Sequence, residues 1–217
     1  NYKYTYETSE WKHVDAFECV KNGHSVFLTG APGTGKSYLT KQIIQYLRNN
    51  NKTVLVTSKT HVAAQGIEGD TLNHIQHKYL KRGKISFDWI VIDEINMVEL
   101  NLLADLNRLT FTDVKFILVG DFNQYGPICD RWVGQIVIKS LDDSKLLHTM
   151  ADGNIQILTE NKRSDSKLFD FCQRICPGGD LHDRPINEIV LQAAEIFPIR
   201  PGLPDHSFVI SHVKRKK

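Results

Sequence analysis

The stretch Gly30-Ala31-Pro32-Gly33-Thr34-Gly35-Lys36-Ser37 constrains this chain more than any other. It fits the pattern GxxxxGK[ST] in full. A β-rich run, Val26–Thr29, precedes it, and a helical pattern follows with Ile43, Ile44 and Leu47 on one face. The glycines let the backbone curl, so that successive N–H groups converge on a chain of phosphates. The N-terminus of the following helix adds the positive end of its dipole. Lys36 supplies a mobile positive charge to the β- and γ-phosphates. The Ser37 hydroxyl is a hard oxygen ligand for Mg²⁺. Gly30 through Ser37 are therefore all candidate nucleotide contacts.

The rest of the chain supplies the matching framework. Thr53–Thr57, Trp89–Asp93 and Lys115–Gly120 are further β-rich runs. Between the last two, Glu99–Leu109 carries Leu102, Leu103, Leu106 and Leu109 on one helical face. Strands alternating with helices predict βαβ units, hence a parallel sheet flanked by helices, with binding residues just past the carboxyl ends of the strands. Hydrophobic residues make up 41% and charged residues 24%, which suits a packed core. The net charge is only +2, so a surface for nucleic acid has to be local. Cys172 and Cys176, one helical turn apart, suit two small core residues better than a zinc site. No run approaches the length of a membrane span and no signal peptide opens the chain, so the expectation is an intracellular protein with reduced thiols.

Two further sites sit on strand ends. Trp89-Ile90-Val91-Ile92-Asp93-Glu94 is an apolar strand ending in two carboxylates. Asp93 is placed to hold Mg²⁺ through a water, and Glu94 to orient and activate the attacking water. A switch GTPase lacks the second carboxylate, whereas a hydrolytic motor needs it. One strand later, Gly120-Asp121-Phe122-Asn123-Gln124 places a neutral amide that both donates and accepts. Gln124 is placed to touch the γ-phosphate and report its loss. The catalytic candidates are thus Lys36, Asp93, Glu94 and Gln124.

With these motifs in order, the chain resembles the superfamily 1B helicases of the Pif and RecD-like branch, to which the phage Dda helicase is related. The resemblance covers roughly residues 10 to 165. Thr57-Ser58-Lys59-Thr60-His61-Val62-Ala63-Ala64 is similar to the branch's T-x-x-T-H/G-x-A-A. Gly69-Asp70-Thr71-Leu72 is similar to G-x-T-L-H, Asp93-Glu94-Ile95-Asn96-Met97 to D-E-I-S-M, and Gly120–Pro127 to G-D-F-x-Q-L-P-P. Leu158–Ser164 resembles the motif whose arginine contacts the γ-phosphate, which adds Arg163 to the catalytic set. The slot of the adenine-reading glutamine falls at His13. The histidine expected after Thr71-Leu72 is Asn73, with His74 next, so that role falls to either.

The resemblance implies a RecA-like P-loop NTPase domain that uses ATP and Mg²⁺ to move along single-stranded DNA in the 5′→3′ direction. It implies a monomeric motor with no membrane partner, working beside replication or repair proteins. The implied nucleic-acid contacts are Thr57, Ser58, Lys59, Thr60, His61, Thr71, Asn73 and His74. Residues 1–165 are expected to form the motor domain, with a short insertion at about 73–88 where relatives carry a wedge. Residues 166–217 read as a helical and linker segment: a helix over 164–176 stopped by Pro177-Gly178-Gly179, a linker at Pro198–Pro204, a strand at His206–Ile210 and a solvated basic tail. The second RecA-like domain of the family is missing or truncated on this reading. Two alternatives remain: an RNA helicase of the same superfamily, and a P-loop ATPase switch acting on a protein partner.

Overall fold

Runs rich in β-branched residues and apolar on both faces can only be satisfied inside a parallel sheet with helices on each side, and the chain builds that sheet. The computed structural model describes residues 10–58, 70–72, 86–124, 126–127, 131–132, 135–136, 144–163 and 165–198. In chain order the elements are β1 (Lys12–His13), α1 (Ala16–Lys21), β2 (Val26–Gly30), α2 (Lys36–Asn49), β3 (Val54–Ser58), β4 (Asp70–Thr71) and β5 (Trp89–Asp93). There follow α3 (Leu100–Asn107), β6 (Lys115–Gly120), β7 (Arg131–Trp132), β8 (Gln135–Ile136), α4 (Lys145–Met150), β9 (Asn154–Leu158), α5 (Ser166–Ile175) and α6 (Ile186–Ile196).

Seven strands form one sheet in the order β1-β9-β2-β6-β5-β3-β4, and every pair in it is parallel. Its two faces bury separate layers. Phe27, Ile90, Ile92, Phe116 and Leu118 face α3 and α4, packing with Leu102, Leu103, Leu106, Leu147 and Met150. Val26, Leu28, Val56, Val91, Ile117 and Val119 face α1 and α2, packing with Ala16, Val20, Ile43, Ile44 and Leu47. The helix read at Glu99–Leu109 is α3 followed by a 3₁₀ turn, Arg108–Phe111, with Leu109 only partly buried against the core. Strand β9, which the sequence reading did not pick out, lies between edge strand β1 and β2.

The chain divides into two compact units, residues 1–166 and 167–217. In the second, Arg174 grips both carboxylate oxygens of Asp180 at 2.9 and 2.8 Å and also donates to Gln192 at 3.1 Å. Phe171 meets Phe197 edge-on at 5.7 Å. Here the sequence expectation is corrected: Cys172 is exposed and Cys176 only half-buried, and the side chain of α5 that goes inward is Phe171. No described helix is long and apolar enough to cross a membrane. Most of the expected insertion and the strand expected at 206–210 lie outside the described residues.

Candidate nucleotide-binding site

The long strands are all parallel, so β9, β2, β6, β5 and β3 deliver their last residues to one edge of the sheet. The period of two decides the face. Leu28, Val119, Val91 and Val56 point into the layer under α2. Two residues on, Gly30, Asp121, Asp93 and Ser58 therefore come up on that same side. Because β6 lies between β2 and β5, the Asp121–Gln124 loop stands between Lys36 and the carboxylate pair.

Lys36 opens α2. The helix is N-capped by left-handed Gly35, and no side chain caps its first turn. Its leading N–H groups are thus left for an anion. Thr34, buried, closes the loop by donating to the Ala31 carbonyl oxygen at 2.8 Å. The Lys36 ammonium donates to the carbonyl oxygens of Gly30 and of Ala31, the latter at 3.1 Å. Burial lowers its pKa; the carboxylates of Asp121, Glu94 and Asp93 raise it in turn, and Arg163 lowers it. Four of the charged site residues thus act on one ammonium. Arg163 is held nearby because the Lys162 N–H donates to the Gly33 carbonyl oxygen at 2.9 Å, docking this segment on the phosphate loop. Ser37 and Pro32 are exposed at the mouth.

Asp93 is buried at the end of β5. Burial first, and the Glu94 carboxylate second, push its pKa up to about 6, against the opposing Glu94 N–H bond and the Lys36 charge. Glu94 occupies the left-handed region at φ 56°, ψ 47°. Strain of this kind persists where the surroundings enforce it, and it gathers at functional sites. Among the described residues no group of three or more His, Cys, Asp or Glu could hold a metal. The donor set fits a cation bound with few protein ligands, Ser37 and Asp93, the remainder being phosphate and water, as Mg²⁺ prefers. A divalent charge beside Asp93 would also offset what keeps its pKa high.

Gln124 is exposed, and its Nε2 donates to Asp121 Oδ2 at 3.1 Å. Asp121 also accepts from the Asn123 N–H at 3.0 Å. The Asp121 N–H donates to Asn96 Oδ1 at 3.3 Å, which ties this loop to the one carrying Glu94. The two loops approach closely at Gly120, where a Cβ would stand 2.7 Å from Ile95 Cγ2 and 2.8 Å from Asn96 Oδ1. Sequence reading passed over Asp121, Asn96 and Lys162. Asn96 carried a signal, since it stands where the family pattern has serine. Asp121 lay in a motif read only for its glutamine. Lys162 carried none.

Other expected residues are placed elsewhere. His13 is exposed on edge strand β1, two strands from β2 and level with Phe27 through Ile155. Thr57, expected to touch nucleic acid, is fully buried and donates to the Val91 carbonyl oxygen at 2.9 Å, so its hydroxyl is spent on the sheet. Ser58 is also fully buried, which corrects the strand contact expected of it. Thr71 is described only as backbone in β4, beside Ser58. Lys59, Thr60, His61, Asn73 and His74 lie outside the described residues.

The raised pKa of Asp93 has a measurable consequence. Its folded value, about 6, lies above the ordinary 3.8, so its contribution to stability is complete below about pH 4 and is lost as pH rises through about 6. In metal-free protein, Asp93→Asn is expected to gain stability relative to the parent as pH goes from about 4 to about 7, by up to roughly 2–3 kcal/mol. Thermal melts of both proteins across that range measure the difference. A constant difference would mean that Asp93 titrates normally.

The fold and this edge define the class: a RecA-like P-loop NTPase domain. The family model for the AAA domain matches residues 15–130. The chain belongs to that family, and it is similar to Pif1 helicases. Among curated relatives, the ATP-dependent DNA helicase Pif1 of Psychrobacter sp. (strain PRwf-1) is 30% identical over 147 residues, 55% of this chain and 22% of its own. The ATP-dependent DNA helicase PIF1 of Candida albicans is 36% identical over 140 residues, 52% of this chain and 16% of its own. The chain thus spans about a fifth of the length of these relatives. The crystal structure of Pif1 helicase from Candida albicans superposes with a TM-score of 0.61 at 27% identity, covering 74% of this chain and 42% of that one. Pif1 helicase from Bacteroides, in complex with ADP-AlF3 and ssDNA, shares the fold at 18% identity with a TM-score of 0.56, over 88% of this chain and 52% of that one.

Proposed function

We propose that this chain is the motor domain of a DNA helicase, which hydrolyses ATP with Mg²⁺ and uses the cycle to move 5′→3′ along single-stranded DNA. The observation that carries this reading is the convergence of Lys36, Asp93, Glu94, the Asp121–Gln124 loop and Arg163 on one sheet edge. The two curated relatives are named as ATP-dependent DNA helicases, and a Bacteroides relative binds a nucleotide analogue together with single-stranded DNA.

Each residue has a task. The first turn of α2 and the loop before it bind the phosphates through N–H groups. Lys36 turns from the Gly30 and Ala31 carbonyls to the β- and γ-phosphates. Ser37 and Asp93 would hold Mg²⁺, which neutralises charge on the β- and γ-oxygens when bound. Glu94 orients the attacking water and accepts its proton on the carboxylate. Arg163 stabilises charge on the γ-phosphate. Gln124 exchanges its bond to Asp121 for one to the γ-phosphate, so the loop that Asn96 ties to Glu94 senses whether that phosphate is present. Lys59, Thr60, His61, Thr71, Asn73 and His74 are proposed to contact the backbone of the strand, which carries no base readout.

The test is strand-stimulated hydrolysis. ATPase activity is measured alone, with oligo-dT and with oligo-U, for the parent and for Lys36→Ala. Stimulation of several-fold by DNA, absent in Lys36→Ala together with nucleotide binding, is the expected result. Stimulation by RNA alone makes the protein an RNA motor. Hydrolysis indifferent to both strands returns the reading to a switch with a protein partner.

A further inference from the structure

Ser58 is the unexplained polar group of the site. It is fully buried, yet among the described residues its Oγ has no hydrogen-bond partner. Leaving a buried hydroxyl unsatisfied is costly, and native folds rarely do so without a use for it. Its neighbour shows the contrast: Thr57, on the opposite face of β3, spends its hydroxyl on the Val91 carbonyl. Ser58 is in direct register with Asp93 on the adjacent strand β5. Both continue the alternation of residues that pack under α2, Val56 on one strand and Val91 on the other, so both side chains share that face. Side chains in register on neighbouring parallel strands stand roughly 5 Å apart at Cβ. Ser58 Oγ does not bond the Asp93 carboxylate in this structure, and a water entering between them with the cation would reach both.

Resting on the reading of an ATP–Mg²⁺ site, we propose that Ser58 is a positioning residue for the metal: its Oγ hydrogen-bonds a water of the cation's shell that Asp93 also holds. The carboxylate takes one side of that water and the hydroxyl the other, fixing its orientation without a further charge. Ser58 ends the strand that leads into Lys59-Thr60-His61, so the metal shell is attached to the segment proposed to contact DNA. Removing the hydroxyl should therefore weaken the response to Mg²⁺ and spare the fold.

The experiment compares Ser58→Ala with the parent chain. Binding of a fluorescent ATP analogue is titrated with Mg²⁺ and, separately, measured in EDTA. Thermal melts are recorded without nucleotide and with ATP–Mg²⁺. The expected result is a rise of about 3- to 10-fold in the Mg²⁺ concentration for half-maximal binding, the scale of one hydrogen bond to a charged shell. Binding in EDTA is unchanged, and the nucleotide-free melting temperature is unchanged or raised, since an unsatisfied hydroxyl has been removed. A fall of several degrees without nucleotide would mean that the hydroxyl already serves the fold, and overturns the proposal. An unaltered Mg²⁺ titration also overturns it. If the parent itself shows no Mg²⁺-dependent nucleotide binding, the ATP–Mg²⁺ reading fails and this proposal falls with it; that outcome is visible in the parent and needs no variant.

Discussion

Glu94→Gln is expected to keep ATP bound while slowing its turnover by at least ~100-fold, the scale of a lost general base. The amide preserves the shape of the carboxylate but cannot take a proton from water. The expectation that binding survives comes from the neighbouring residue. The Glu94 charge is one of the causes that raise the pKa of Asp93. A neutral glutamine removes that repulsion, so Asp93 ionises more readily and Mg²⁺–nucleotide affinity is kept or improved. The backbone bond from residue 94 to Asp93 Oδ1, at 3.1 Å, does not depend on the side chain. Single-turnover hydrolysis and equilibrium nucleotide binding, measured on the same preparation, separate the two effects. Turnover within a few-fold of the parent would remove Glu94 from its role, and loss of binding would show that it positions the cation instead.

What was legible in the sequence is what local chemistry dictates. Gly30–Ser37 must form a phosphate loop wherever a strand meets a helix through them, and Asp93-Glu94 must emerge at a strand end once Trp89–Ile92 is apolar. The strand order was not legible, because it is set by pairings between distant segments. Placing β6 between β2 and β5 brings Asp121, which holds Gln124, in near Lys36, and β9 on the other side of β2 brings Arg163 there. The bond from the Asp121 N–H to Asn96 and that from the Lys162 N–H to Gly33 likewise join segments far apart in sequence. The serine and threonine of Thr57-Ser58 read as surface hydroxyls for a nucleic-acid strand. Their burial follows from β3 lying inside the sheet, between β5 and β4. Cys172 failed in the opposite sense: i,i+4 spacing with Cys176 marks a shared helix face but not whether that face is covered.

Gly30→Ala is expected to disable the site through backbone alone. Gly30 sits at φ 148°, where side-chain-bearing residues are strained. It also lies in register with Leu158 of β9, and a Cβ at Gly30 would overlap the Leu158 carbonyl oxygen and approach Thr34 Oγ1 to 3.0 Å. A carbonyl within a strand pair cannot swing aside as a flexible side chain would. Relief requires β9 to part from β2 at its end, which draws Lys162 away from Gly33 and Arg163 away from Lys36. The cost is expected to be about 3 kcal/mol or more, a fall of roughly 6–12 °C in melting temperature for a chain of this size. Nucleotide affinity is expected to fall by at least ~100-fold, since a loss of about 3 kcal/mol in the bound geometry converts to that factor. Gly23→Ala is the control: Gly23 is also left-handed, at φ 79°, but a Cβ there meets nothing within 4 Å. Its cost is confined to backbone strain of about 1–2 kcal/mol, and nucleotide affinity should be untouched. Melting curves and nucleotide titrations of the two variants isolate the contact with Leu158 from the conformational strain. Equal losses in both would show that the close approach of β2 and β9 is not what holds Arg163 to the phosphate loop.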